Sequence, residues 1–288
     1  MKHLQAEFEV SERRACDVAG QHRSSQRYEA QRPDDEPGII TRMLELVREH
    51  PRFGYRRIAK LLQREGHRVG FDRAYRLWRR EGLQVPRKAR KKRRLGASDQ
   101  GCIRHRVERR NHVWAWDFVF DRTSSGSSLK WLAIIDEYTR ECLALKAGRR
   151  IQHEDVKDVL RGLFLAHGIP EHIRSDNGPE FIAHGLRSWL ERSGIGPLYI
   201  SPGSPWENGY AESFNSRLRD EFLNCEVFDH VQSAQAMGTA WRVAYNEYRP
   251  HSALGYQTPA EFGRTCTDST PASATPQPAF HQHTSLQT

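Results

Sequence analysis

The hydrophobic period changes part-way along this chain, and that change constrains the fold more than any other feature. From Ile39 to Glu81 apolar residues recur at helical spacing, in segments interrupted by Pro51 and Gly66. From Val113 the pattern becomes that of buried strands, and helical and strand segments then alternate. The sequence therefore predicts an all-α domain followed by an α/β domain, with a mixed five-stranded sheet covered by helices on both faces.

Five segments follow from this pattern. They are an N-terminal helical segment and linker at 1–38, a helix-turn-helix domain at 39–85, a basic linker at 86–103, an α/β core at 104–262 and a disordered tail at 263–288. Ser11 is a predicted N-cap for a helix over 12–18. The tail is rich in Thr, Ser, Pro and Gln and lacks helical periodicity, which is typical of disorder.

Composition excludes several protein classes. Hydrophobic residues make up 37% of the 288 residues, enough for a globular core, and the five cysteines form no Cys-x-x-Cys pair that would indicate a disulfide framework or a zinc site. Mean hydropathy is −0.78, with neither a membrane-spanning run nor a secretory signal at the start. We therefore expect a cytoplasmic protein with no membrane partner.

Positive charge is concentrated at the start of the chain. The formal net charge is +9, and residues 1–100 hold 25 Lys and Arg against 14 Asp and Glu. The remaining residues therefore carry a small negative excess. Clustered cations are typical of nucleic-acid binding, although a solvated surface explains the charge alone equally well.

The third predicted helix, over 71–81, has two distinct faces. Phe71, Ala74, Tyr75 and Trp78 form the apolar face. Arginines line the opposite face, at Arg73, Arg76 and Arg80. A helix, a turn containing Gly and an arginine-bearing helix form the helix-turn-helix arrangement that reads DNA, and the alternative is a three-helix bundle with a solvated basic face.

A strongly basic run follows this domain. Its cations are Arg87, Lys88, Arg90, Lys91, Lys92, Arg93 and Arg94. After a helix-turn-helix such a run favours an arm that follows DNA phosphates, and the alternative is a charged linker.

Three carboxylates stand out in the α/β part. Asp117 interrupts an apolar strand, where a lone carboxylate is costly unless it is paired, protonated or bound to metal. Asp176 follows a later strand, and Glu212 lies on the polar face of a helix that also carries Asn208 and Arg219. Taken singly, Asp117 is compatible with a residue that caps a neighbouring loop, Asp176 with a turn residue, and Glu212 with an ordinary amphipathic surface helix. Together they could bind two Mg²⁺ or Mn²⁺ ions.

Four motifs in order carry a family resemblance. They are Trp-Ala-Trp-Asp117, Ser175-Asp-Asn-Gly-Pro-Glu-Phe181, the Ser201–Arg219 segment that contains Trp-Glu-Asn-Gly-Tyr-Ala-Glu212, and Tyr245-Asn-Glu-Tyr-Arg-Pro-His251. Asp176 and Glu212 are separated by 35 residues. The sequence resembles insertion-sequence transposases of the DDE, or retroviral-integrase, superfamily, and most resembles the second-frame product of two-frame insertion elements.

The resemblance implies a ribonuclease-H-like core in which Asp117, Asp176 and Glu212 bind two metal ions. Asp136 is the main competitor of Asp117 for the first ligand. The resemblance also implies that Asn208 and Arg219 contact element-end DNA, that target DNA is a second substrate, and that the protein is a homo-oligomer. An upstream-frame product is then expected as a fusion or partner, in a bacterial, nucleoid-associated setting.

The sequence differs from retroviral integrases because no paired His and paired Cys precede the core, and the histidines show no ligand spacing. Two alternatives to a transposase stay open. One is a non-catalytic DNA-binding regulator of transposition, and the other is a nuclease of the same fold without strand transfer.

Overall fold

The computed structural model describes residues 2–28, 34–85, 107–175, 184–199 and 209–266. Its N-terminal part contains the helices α1 (Lys2–Phe8), α2 (Glu12–Val18), α3 (Arg23–Gln26), α4 (Glu36–Glu49), α5 (Tyr55–Arg64) and α6 (Phe71–Arg80). The sheet strands are β1 (Val113–Arg122), β2 (Ser128–Asp136), β3 (Cys142–Gly148), β4 (His172–Ser175) and β5 (Gly196–Tyr199). The helices of the α/β part are α7 (His153–His167), α8 (His184–Arg192), α9 (Gly209–Leu218), α10 (Val231–Glu247) and α11 (Pro259–Thr265), with a π-helical turn at Arg219–Leu223 and a 3-10 turn at Ser252–Leu254.

Helices α4 to α6 form the predicted three-helix unit. The helix α4 begins at Glu36, so the boundary predicted at residue 38 falls inside a helix. Pro37 in the first turn explains the early start, because its fixed φ suits that position and it has no N–H to leave unpaired. Gly66 takes φ +91° and ends α5, as its place in the sequence predicts. A shared apolar core joins the three helices, with Ile39, Met43, Ile58, Leu62, Ala74 and Leu77 among its members.

The inner face of α6 differs from the predicted one at two positions. Leu77 is buried beside Ala74 and Trp78, whereas Tyr75 is 47% exposed. Tyr75 packs its ring against that of Tyr55, with centroids 5.0 Å apart. It therefore covers the edge of the α5–α6 contact instead of entering the core.

The described strands form one mixed sheet with the order β3-β2-β1-β4-β5. The first three are antiparallel neighbours, and β4 lies parallel to both β1 and β5. The strand β1 is consequently the centre of the sheet, with a neighbour from each half of the sequence. Residues at the same level of β1 and β4 come from distant parts of the chain, as in the pair Ala115 and Arg174.

Each face of the sheet is covered by helices. On one face α9 and α10 pack over Ala115, Val119, Trp131 and Ala133. On the other face α7 and α8 pack over Trp114, Trp116, Leu132 and Ile134. Alternate residues of a strand point to opposite faces, and both sets are apolar here, so the strands read as continuous hydrophobic runs. The predicted α/β architecture is confirmed.

The helix α10 approaches the sheet closely at Gly238. A Cβ built there would lie 2.5 Å from Cζ3 of Trp131, so no larger residue fits without movement. The Trp131 side chain is fully buried and contacts Phe222 and Phe228 edge-on. This glycine therefore fixes the distance between the helix and the sheet.

The α/β part ends later than the sequence pattern indicates. The helix α11 runs to Thr265, three residues past the predicted boundary at 262, and Gly263 within it is buried. Thr258 caps this helix by accepting a hydrogen bond from the Glu261 N–H, and the Glu261 carboxylate accepts one from the Thr258 N–H. Residues 267–288 of the predicted tail lie outside the described residues.

The three-helix unit rests on the last elements of the chain. Its arginines make three salt bridges to them, namely Arg52 with Asp220, Arg57 with Glu221, and Arg64 with Glu261. A cleft of about 390 Å³ lies along this contact, lined by His50, Phe53, Trp241 and Tyr248. The three-helix unit and the α/β part are therefore held together by salt bridges around a cleft that their side chains do not fill.

Candidate active site

Asp117 lies on the central strand, on the face covered by α9. In the sheet it stands opposite Ala133 of β2, and its side chain is half-buried. One carboxylate oxygen accepts a 2.7 Å hydrogen bond from the Phe118 N–H, and the other accepts one of 2.6 Å from Nδ2 of Asn215. The carboxylate that interrupts this apolar strand is thus satisfied by a side chain of α9.

Glu212 lies in the first turn of α9, three residues before Asn215. The helix packs on the sheet through Ala211, Phe214 and Leu218, which leaves Glu212 exposed on its polar side. Residues three apart are neighbours on a helix surface. The hydrogen bond from Asn215 to Asp117 therefore joins the helix that carries Glu212 to the strand that carries Asp117.

Asp176 follows Ser175, the last residue of β4, and lies outside the described residues. What the structure gives is the position of β4 itself. The strand is parallel to β1, with Ala115 opposite Arg174. The strand β4, which directly precedes the predicted ligand Asp176, is therefore the neighbour of β1, which carries the predicted ligand Asp117.

Asp136, the competitor for the first ligand, is held by backbone groups. Its side chain accepts N–H hydrogen bonds from Asn111, Tyr138 and Thr139, at 2.8, 2.8 and 2.9 Å. It is 1% exposed, and burial raises its pKa while these N–H groups oppose the rise. Its oxygens are engaged in holding the turn after β2, which favours Asp117.

The predicted DNA contacts of the α/β part are only partly described. Arg219 is exposed, and its Nη2 donates a 3.2 Å hydrogen bond to the carbonyl of Phe120 on β1. Asn208 and the whole basic run lie outside the described residues.

The three arginines of α6 occupy different settings. Arg73 is paired with Asp35 at 2.6 Å, and this carboxylate raises the pKa of the guanidinium. Arg80 pairs with Glu36 at 3.0 Å. Arg76 is exposed and forms no salt bridge with any residue that the structure describes. Two of the predicted groove contacts are therefore already engaged within their own domain, and Arg76 is available.

One side-chain group with metal-ligand chemistry occurs among the described residues, and it lies elsewhere. Ligand atoms of His112, Glu171 and His172 lie within 4.8 Å of one another, which corrects the expectation that the histidines form no cluster. Arg109 already binds the Glu171 carboxylate at 2.7 Å. The group lies at the start of β1 and β4, five residues before Asp117, so it is separate from the site around Asp117.

Comparison with known proteins agrees with this arrangement. Two family models described as integrase core domains match residues 107–205 and 193–259, and one described as an HTH-like domain matches residues 33–93. The insertion element IS407 protein of Burkholderia multivorans is 37% identical over 263 residues, which are 91% of this chain and 94% of that protein. The chain belongs to the insertion-sequence transposases of the DDE, or retroviral-integrase, superfamily.

Two further comparisons show lower identity. The transposase InsD of insertion element IS2 from Escherichia coli is 28% identical over 244 residues, covering 81% of this chain and 80% of that protein. Among solved structures, an integrase chain of a simian T-cell lymphotropic virus intasome aligns over 77% of this transposase-family chain and 80% of its own length, with a TM-score of 0.50 and 16% identity. This likeness supports the integrase fold. No helix among the described residues of this family member has the length and apolar character needed to cross a membrane.

Sequence reasoning missed two residues that organise the site. Asn215 lies just beside the polar face of α9, and its position three residues after Glu212 was the available signal. Glu221 gave no signal, because its partners Arg57 and Arg249 are distant in sequence. It accepts hydrogen bonds from both, at 2.9 and 2.6 Å. This contact explains the arginine of the Tyr-Arg-Pro-His motif as a structural residue that joins α10 to the π-helical turn.

Proposed function

We propose that this protein is a DNA transposase that cleaves strands at insertion-element ends and transfers them into target DNA. The observation that carries the proposal is the hydrogen bond between Asn215 and Asp117, because it brings the helix of Glu212 against the central strand. Family membership supports the reaction class, and the retained Asp117, Asp176 and Glu212 support a catalytic protein over a non-catalytic regulator.

The side chains around Asp117 fit a divalent metal. Carboxylate oxygens are the ligands that Mg²⁺ and Mn²⁺ prefer, and Oδ1 of Asn215, next to Asp117, is buried without a hydrogen-bond partner among the described residues. Asp117, Asp176 and Glu212 would hold two ions. When bound, these ions supply the activation of water or a DNA 3′-hydroxyl and stabilise the leaving oxygen.

The roles of the protein groups follow from their positions. Asn215 orients the Asp117 carboxylate, and α9 carries Glu212 to the same region. The HTH-like domain would hold element-end DNA, with Arg76 as an exposed arginine of α6 that forms no salt bridge with a described residue, and the basic run 87–94 following phosphates. A homo-oligomer would bring two ends together, and an upstream-frame product would act as fusion or partner.

The test is Mg²⁺-dependent cleavage and joining on the terminal DNA of the element that encodes the chain. Both the chain alone and its fusion with any upstream-frame product are assayed, with Glu212→Gln as the active-site variant and the exposed Glu226→Gln as its control. We expect Glu212→Gln to abolish cleavage and to leave DNA binding intact. Full cleavage by this variant would overturn the metal-site assignment.

Two further results identify the alternatives. Tight binding of terminal DNA without cleavage in either form would indicate a regulator that occupies element ends. Cleavage without joining of a supplied 3′-hydroxyl end would indicate a nuclease of this fold.

A further inference from the structure

Four arginines converge beside the helix of Glu212, on the side that faces the HTH-like domain. We name Arg57, Arg140, Arg217 and Arg249 the arginine cluster. All four charges act on the buried His251, and together with burial they lower its pKa to about 2. His251 is therefore uncharged and adds no positive charge of its own.

The arginine cluster has too few carboxylates to balance it. Glu221 accepts hydrogen bonds from Arg57 and Arg249. The other nearby carboxylate, Glu137, pairs with a fifth arginine, Arg174, at 3.4 Å. Among the described residues, Arg140 and Arg217 form no salt bridge, so their two positive charges are not paired.

Two members of the cluster have unused hydrogen-bond donors. The guanidinium of Arg140 lies over the ring of Tyr210, 3.8 Å from its centroid, and its buried Nη1 has no hydrogen-bond partner among the described residues. Within the described part of the chain, Arg217 hydrogen-bonds only the backbone carbonyl and hydroxyl of Ser213, and does so through Nη1. Both side chains are half-buried. Nη1 of Arg140 is shielded from solvent, whereas Nε and Nη2 of Arg217 are not buried and form no hydrogen bond with a described residue. Excess charge and free donors in one partly buried place are what an anion needs.

The position of these two arginines links both functional parts of the chain. Arg217 lies on α9, five residues after Glu212. Arg140 stacks on the ring of Tyr210, and Tyr210 is two residues before Glu212. Arg57 of the same cluster belongs to α5 of the HTH-like domain. An anion bound here lies between the HTH-like domain and the proposed metal site.

We propose that Arg140 and Arg217 bind a backbone phosphate of duplex DNA and so direct the DNA held by the HTH-like domain toward Glu212. The planar guanidinium matches the geometry of a phosphodiester. Arg217 has accessible donors left for it, and Arg140 adds a half-buried positive charge close by. This inference rests on the proposed function for the identity of its ligand. Free phosphate has the same chemistry, but a polyanion is favoured because the HTH-like domain adjoins the site.

The first test measures how DNA affinity depends on salt. Duplex binding is followed by fluorescence anisotropy without divalent metal, for wild type, Arg140→Gln, Arg217→Gln and the control Arg161→Gln. Arg161 is an exposed residue of α7, on the other side of the sheet, and pairs with Asp158, so its variant has the same net charge as the test variants. Losing one phosphate contact should lower the log–log salt slope by about 0.9, and the affinity about eight-fold at about 0.1 M salt. Slopes and affinities equal to those of the control would overturn the proposal.

A second test needs no variant and is therefore independent of folding defects. Phenylglyoxal modifies accessible arginines of the wild-type protein, and mass spectrometry locates the modified residues. Duplex DNA should slow modification of Arg140 and Arg217 and leave Arg161 unchanged. Unchanged rates at Arg140 and Arg217, or protection by inorganic phosphate at equal ionic strength but not by duplex, would overturn the proposal.

These results are separable from the proposed function. Binding and protection are measured without metal, so they do not require strand cleavage. An inactive protein with protected arginines would disprove the transposase reaction only. An active protein with unprotected arginines would disprove the phosphate site only.

Discussion

Glu221 and Arg249 form a buried, doubly hydrogen-bonded pair, with both bonds 2.6 Å long and side chains 6% and 4% exposed. Arg57 of the HTH-like domain adds a third hydrogen bond to the same carboxylate. Burial raises the pKa of Glu221, but the hydrogen bonds and charges of the two arginines outweigh it, and the pKa lies below its usual value. One carboxylate thus holds α10, the π-helical turn and the HTH-like domain together.

Replacing Glu221 by Gln should therefore be strongly destabilising. The buried Arg249 guanidinium and the half-buried Arg57 guanidinium lose their counter-charge. Breaking a buried pair such as Glu221 and Arg249 costs about 3–5 kcal/mol. Urea unfolding measures the loss, with the exposed Glu226→Gln as control. A loss no larger than that of the control would show that Glu221 does not join the domains.

Glu137 should make stability fall as pH rises. It is fully buried without a hydrogen bond to any described residue, and burial raises its pKa from 4.5 to about 7 despite Arg174. A raised folded-state pKa gives stability that is fully present below pH 4.5 and is lost as pH rises through about 7. Glu137→Gln should gain up to about 3 kcal/mol relative to wild type across this interval. Parallel pH profiles of the two proteins in urea unfolding would refute this.

Asn215 should matter for cleavage and not for DNA affinity. Asn215→Leu removes the N–H donor that orients the Asp117 carboxylate. Loss of such a supporting contact at a metal site typically costs about 10–100-fold in activity or metal affinity. Single-turnover cleavage and Mg²⁺ titration measure the effect, with Gln232→Leu, an exposed amide on α10, as control. Unchanged cleavage and Mg²⁺ dependence would remove Asn215 from the site.

Gly238 and Gly162 should respond oppositely to the same substitution. A Cβ at Gly238 lies 2.5 Å from the Trp131 ring, so Gly238→Ala should cost about 1–3 kcal/mol by overpacking. Gly162 of α7 has no heavy atom within 4 Å of such a Cβ, so Gly162→Ala should gain up to about 1 kcal/mol from helix propensity. Thermal and urea unfolding of both variants test this. Equal effects would contradict the close packing of α10 on the sheet.

Substitutions of two α6 arginines should affect DNA binding and folding stability separately. Arg76→Ala should weaken duplex binding and leave unfolding unchanged, because Arg76 is exposed and forms no salt bridge with a described residue. Arg73→Ala should mainly lower stability, since Arg73 is tied to Asp35. Anisotropy and urea unfolding on both variants decide between these roles. A binding loss confined to Arg73→Ala would mean that the pair with Asp35 opens on DNA.

The sequence allowed the order of helices and strands to be predicted because hydrophobic period and turn residues are local signals. The cap of α11, in Thr258-Pro-Ala-Glu261, is also a local signal, and it lies before the predicted end of the core at 262. The contacts of Glu221 with Arg57 and of Asn215 with Asp117 were not predictable, since they join residues 164 and 98 positions apart. Side-chain pairing at that distance depends on the assembled fold.

The HTH-like domain is made early on the ribosome, but the surface on which it rests is made last. Asp220, Glu221 and Glu261, which bind its arginines, all lie in the second half of the α/β part. A nascent or prematurely terminated chain therefore exposes this domain before anything fixes its orientation. The completed chain alone holds the domain in a defined position relative to Asp117.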